Sequence, residues 1–137
     1  VTRYYDLAAA NERIAELRPV LAGLRDDRAI VAAAQRELER LRSGNGDIRA
    51  ADGQLRADVA REQEAIRAAV ARMEAAVRQV DAWGVTLRDI GSGLVDFPAL
   101  ASGRPIWLCW KLGEGDIGWW HELDTGIAGR RPLIDLE

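Results

Sequence analysis

The sequence predicts an α+β fold: a long antiparallel, coiled-coil-like helical hairpin followed by a small tryptophan-rich antiparallel β-sheet. Three observations carry this. Apolar residues of the first 83 positions recur at spacings of three, four and seven, as one helix face requires. A turn signal, SGNGD, interrupts that pattern at residues 43 to 47. Beyond Trp83-Gly84 the texture changes: nine of the 13 glycines lie at or after Gly84, and four of the five tryptophans fall between Trp107 and Trp120. The expected organisation is a helical hairpin over 1–83 with a β-rich module over 84–137 packed on it.

The first helix is expected to start after Asp6, a residue type that caps helix N-termini. Its apolar seam reads Ile14, Leu17, Leu21, Leu24, Val31 and Leu38, with Arg28 and Gln35 at the skipped positions. Pro19 lacks a backbone donor and crowds the preceding turn, so a kink or break is expected near Leu17. The second helix is expected from about Asp52 to Ala82, with Val59, Ile66, Val70, Met73, Val77 and Val80 as its seam and Gln63 in the gap. An antiparallel turn near residue 48 places Leu38 near Val59, and Gln35 near Gln63 as a polar layer that fixes register. Each helix would be roughly 45–55 Å long at 1.5 Å per residue. Two such helices bury one seam. The alanines of AIVAAA (29 to 34) widen the stripe, so a third surface is expected, either the sheet or a second copy.

In the second half, VTLRDI (85 to 90) and GLVDFP (93 to 98) read as strands around Gly91-Ser92-Gly93, and PALASGRP as a connection. RPIWLCWKL (104 to 112) and IGWWHEL (117 to 123) read as strands joined by a tight GEGD turn. That turn sets Trp110 opposite Trp119, Cys109 opposite Trp120 and Leu108 opposite His121. His121 then lies on the apolar face with Ile106, Leu108, Trp110 and Trp119, and Glu122 on the other face with Trp107, Cys109, Lys111 and Trp120.

Composition narrows the function classes. Apolar residues make up 48% of the 137, enough for a real core. Residues 1–83 carry 14 basic and 14 acidic side chains and residues 84–137 carry 5 and 8, so the net charge of −3 sits in the second half. Such a balance gives no electrostatic reason to expect nucleic acid or an anionic membrane as partner. The helix arginines interleave with acids, as in RELERLR, which is the pattern of a solvated face. A single cysteine excludes an intrachain disulfide and a CxxC site. The start, VTRYYDLAAA, has no apolar signal core, and no run approaches membrane-spanning length, so the expected location is cytoplasmic.

The words GLVDFP, WLCWKLGE and WWHELDTGIAGRRPL, preceded by a helical region with an AN pair at Ala10-Asn11, resemble a bacterial family known as domain of unknown function 2203. The resemblance spans nearly the whole chain. It implies a bacterial, soluble protein of a family without an assigned activity, and no catalytic roles come with it. The residues matching the polar signature are Asp89, Asp96, Lys111, Glu114, His121, Glu122 and Arg130.

Those residues are weighed by chemistry. His121 with Asp89 or Asp96 could form a general-base pair, so His121 and Asp96 are the catalytic candidates. No nucleophile motif accompanies them. Cys109 sits mid-strand beside tryptophans, where a thiol is usually inert. Asp89, Asp96, Lys111, Glu114, Glu122 and Arg130 are the ligand-binding candidates, because arginine recognises carboxylate or phosphate bidentately. The competing reading has Arg130 closing the sheet against Asp96 or Glu122. Among Asp96, Cys109, His121, Glu122 and Asp124 no spacing matches a metal motif, and no metal or cofactor is expected. The expected function is a non-enzymatic interaction or scaffold module that forms a homo-oligomer through its helices and offers a surface to a protein partner. The alternative is a small-molecule-binding or hydrolytic site around Asp96, His121, Glu122 and Arg130.

Overall fold

The computed structural model describes residues 3–45 and 53–136. Helix α1 spans Leu7–Asn45 and α2 spans Gly53–Ala82. Five strands follow: β1 (Thr86–Asp89), β2 (Leu94–Ala101), β3 (Arg104–Lys111), β4 (Trp119–His121) and β5 (Arg131–Pro132), in one sheet ordered as they occur in sequence. The pairings β1–β2, β2–β3, β3–β4 and β4–β5 are all antiparallel. The α+β expectation holds. The chain forms two compact units, residues 1–25 with 76–137, and residues 26–75.

Asp6 caps α1 as its residue type suggests: its Oδ1 accepts the Ala9 N–H at 2.7 Å. The helix runs on through Pro19, so of the expected kink or break there is no break. Buried Leu17 and Leu21 anchor the backbone on either side of that exposed position. Residues 43–45 of the expected turn belong to α1, and the rest of that turn lies outside the described residues. In the unit of residues 26–75 the helices share a core of Leu38, Leu41 and Val59, with Leu55 and Ile66 packed against it. Arg72 pairs with Asp27 at 2.9 Å within this unit. The expected glutamine layer is absent, since Gln35 and Gln63 are both exposed. Ala34 and Ala69, each at most 3% exposed, occupy the buried stripe instead. Alanine costs nothing in side-chain entropy and lets two helix backbones approach closely.

In the other unit, the sheet carries a large apolar face. Val95, Phe97, Ala99, Ile106, Leu108, Trp110 and Trp120 are all buried there. Tyr5 meets Phe97 edge-to-face at 5.2 Å, and the Arg18 guanidinium lies over Trp110 at 5.8 Å. Asn11 Oδ1 accepts the Ile117 N–H at 2.8 Å, tying α1 to the loop before β4. The stretch PALASGRP is strand on both sides of a two-residue turn rather than a connection. Ser102 and Gly103 both have positive φ (51° and 81°), the conformation that closes a tight hairpin without splaying its strands. Pro98 fits mid-strand because β1 has already ended beside it. Its carbonyl accepts the Tyr5 N–H at 2.7 Å, on the side where no ladder donor is needed.

The β3–β4 register differs from the expected one by a single residue. Trp107 pairs with His121, Leu108 with Trp120 and Cys109 with Trp119. The GEGD segment does not close a tight turn. Glu114 folds back, its N–H bonding the Lys111 carbonyl at 3.0 Å and its Oε1 accepting the Lys111 N–H at 2.8 Å. Trp110 Nε1 donates to the Gly115 carbonyl at 2.8 Å. These clips lengthen the connection to Leu112–Gly118, and β4 resumes one residue out of step. A one-residue slip moves every side chain of a strand to the opposite face. His121 therefore leaves the apolar face, and Trp120 joins it opposite Leu108.

Candidate functional site

The second face of the sheet gathers the polar residues. Asp96 of β2 pairs directly with Cys109 of β3, and the Trp107–His121 pair sets His121 one step away on the same face. All three are buried: Asp96 is 2% exposed, Cys109 0% and His121 1%. One ligand-type atom from each lies within 4.8 Å of the others. The irregularity between Leu87 and Asp89 in β1 gives Arg88 its place beside them. Its Nε donates to Asp96 Oδ2 at 2.9 Å, and its guanidinium lies over Trp107 at 4.9 Å.

His121 is held at both ring nitrogens. Nδ1 lies 2.8 Å from the Glu122 carbonyl, and Nε2 lies 3.0 Å from both Asp96 oxygens. Both neighbours are acceptors in their ordinary form, so hydrogen bonding on both sides takes a proton at each nitrogen, or one on the carboxyl. The ring has no nitrogen left over for a substrate proton. The Cys109 thiol is pushed up to about 11, chiefly by burial and then by the negative charge of Asp96, so it is a poor nucleophile at neutral pH. A cavity of about 350 Å³ adjoins the cluster, lined by Arg88, Leu94, Asp96, His121, Leu123, Asp124, Gly126 and Ile127.

The remaining polar candidates sit elsewhere. Glu122 points to the opposite face, where it pairs with Arg104, and that guanidinium holds its carboxyl below the usual range. Arg130 reaches Glu114 through Nη2 at 2.9 and 3.0 Å and lies over Trp119 at 4.8 Å. It closes the module against Glu114, not against Asp96 or Glu122. Asp89 Oδ2 accepts the Ser92 N–H at 2.9 Å and the Ser92 hydroxyl at 2.6 Å, closing the β1–β2 turn. Lys111 is half-buried at the end of β3. Of the four residues of the expected alternative site, only Asp96 and His121 meet. Sequence reasoning set Cys109 aside and did not name Arg88. A readable signal existed for the first: a two-residue Ser102-Gly103 turn pairs Ala101 with Arg104, and counting back sets Asp96 opposite Cys109.

No curated protein and no solved structure matches this chain. Among the described residues no helix is long and apolar enough to cross a membrane. Residues 3–133 match the family described as Uncharacterized conserved protein (DUF2203), and with nearly its whole length covered the chain belongs to that family.

Proposed function

We propose that this is a non-enzymatic interaction module, a bacterial, cytoplasmic homo-oligomer that assembles as a coiled coil through the helices of residues 26–75. One observation carries the reading. Among the described residues of the helical unit the buried core is Leu38, Leu41 and Val59 with Ala34 and Ala69, two partly buried apolar residues pack against it, and Ile30 and Val70 stay 41% and 37% exposed. A helix pair with so little buried surface gains most from a further apolar face. The polar residues of the second half meanwhile partner one another: Asp96 with Arg88 and His121, Glu114 with Arg130, Glu122 with Arg104. The test is light scattering at micromolar concentration. A dimer or larger species is expected, and Ile30→Glu with Val70→Glu should shift it toward monomer. A monomeric wild type sinks the proposal.

The cavity beside Asp96 and His121 favours a second reading, a small-molecule site on that face. Under it, a ligand raises the melting temperature of the wild type, and a change at Leu123 or Asp124 removes the rise while leaving the unliganded melting temperature in place. His121→Ala, by contrast, should lower stability itself.

A further inference from the structure

We propose that Asp96, Cys109 and His121 bind a divalent transition-metal ion of the zinc class, with the fourth coordination position open to the adjoining cavity. The inference is independent of the oligomeric reading above. The donor set is a carboxylate oxygen, a sulfur and an imidazole nitrogen, all buried and all within 4.8 Å of one another. Such mixed ligands suit zinc and cobalt rather than calcium or magnesium. Tetrahedral bonds of about 2.0–2.3 Å set ligand atoms roughly 3.3–3.6 Å apart. Nε2 and the Asp96 oxygens, now 3.0 Å apart, need to open by only a few tenths of an ångström on that scale.

The surrounding hydrogen bonds are those of a metal ligand's support. Nδ1–H donating to the Glu122 carbonyl fixes the ring with Nε2 turned into the cluster. Arg88 holds Oδ2 of Asp96, which leaves Oδ1 for the ion. On binding, the thiol proton of Cys109 and the proton between Nε2 and Asp96 leave to solvent. Thiolate and carboxylate then balance the 2+ charge. Asp124 lines the cavity on the open side.

The chain holds one cysteine and one histidine, so a spectroscopic signal has one source. The full chain, produced without added histidines or cysteines and stripped with chelator, is titrated with Co²⁺. We expect a near-ultraviolet thiolate-to-cobalt charge-transfer band with tetrahedral visible bands, saturating at one equivalent, and a raised melting temperature with Zn²⁺. Cys109→Ala keeps a small side chain at a buried strand position and should fold. It should lose the charge-transfer band and most of the Zn²⁺-induced shift. Asp96→Asn should keep the band but weaken Zn²⁺ binding by on the order of 10–100-fold. Absence of the band in folded wild type overturns the proposal. So does a Zn²⁺ shift that Cys109→Ala leaves intact.

Discussion

A carboxylate buried as deeply as Asp96 must be compensated where it stands. Two of its neighbours can carry positive charge, His121 and Arg88, and they differ in how replaceable water makes them. His121 is 1% exposed, whereas the Arg88 side chain is 42% exposed. Asp96→Ala leaves the imidazole buried without its partner, and in the metal-free protein it should cost about 3–5 kcal/mol, as loss of one member of a buried pair does. Arg88→Ala removes a contact that solvent already screens and should cost no more than about 1 kcal/mol. Urea denaturation of the two variants measures both. Equal losses would mean that Arg88, not His121, compensates the buried charge.

At the scale of elements, the β1–β2 turn is a tight constraint on the sheet. Gly93 has φ +66°, and a Cβ added there would lie 2.6 Å from Leu112 Cβ. Its carbonyl also accepts the Leu112 N–H at 3.0 Å, so the turn and the end of β3 cannot separate cheaply. Gly93→Ala should destabilise by more than the roughly 1–3 kcal/mol of a non-glycine left-handed residue alone. Gly103 has φ +81° with open space around it, so Gly103→Ala should show the backbone cost only. Thermal melts of the two variants separate clash from conformation, and a Gly103→Ala loss as large as that of Gly93→Ala would deny the clash. This scale also shows what the sequence makes legible. Both helices follow from apolar periodicity and the Asp6 cap, and β1, β2 and β3 from alternation, each within a few residues. What failed was long-range. The choice between Ala34 and Gln35 at the seam depends on how closely two helices approach. The register of β4 depends on Glu114 folding back onto Lys111, which no local pattern in GEGD reveals. That one residue decided whether His121 stood on the apolar face with Leu108 and Trp110 or on the other face beside Cys109 and Asp96.

At the scale of the whole molecule, the charge arrangement would make the proposed association pH-dependent. Arg40 hydrogen-bonds Glu37 and holds its carboxyl below the usual 4.5, and Gln54 and Arg61 do the same for Asp58 against 3.8. A carboxyl lowered by folding stabilises the folded state above its unfolded pKa, and that contribution fades as pH falls through the folded value. The helical unit should therefore lose stability below about pH 4, by a margin that Glu37→Gln with Asp58→Asn reduces and that high salt screens. The proposed association would add a second effect of the same sign. Near neutral pH the first 83 residues balance 14 basic against 14 acidic groups, so two copies meet without net repulsion. At about pH 3 most carboxyls are protonated while the arginines keep their charge, and the helices repel. For a self-associating chain the melting temperature rises with protein concentration, because mass action favours the assembled folded state. Scanning calorimetry over a hundredfold concentration range should show that rise near pH 7 and lose it near pH 3. A melting temperature independent of concentration at neutral pH, under conditions where unfolding is reversible, would place all of the fold's stability within a single chain.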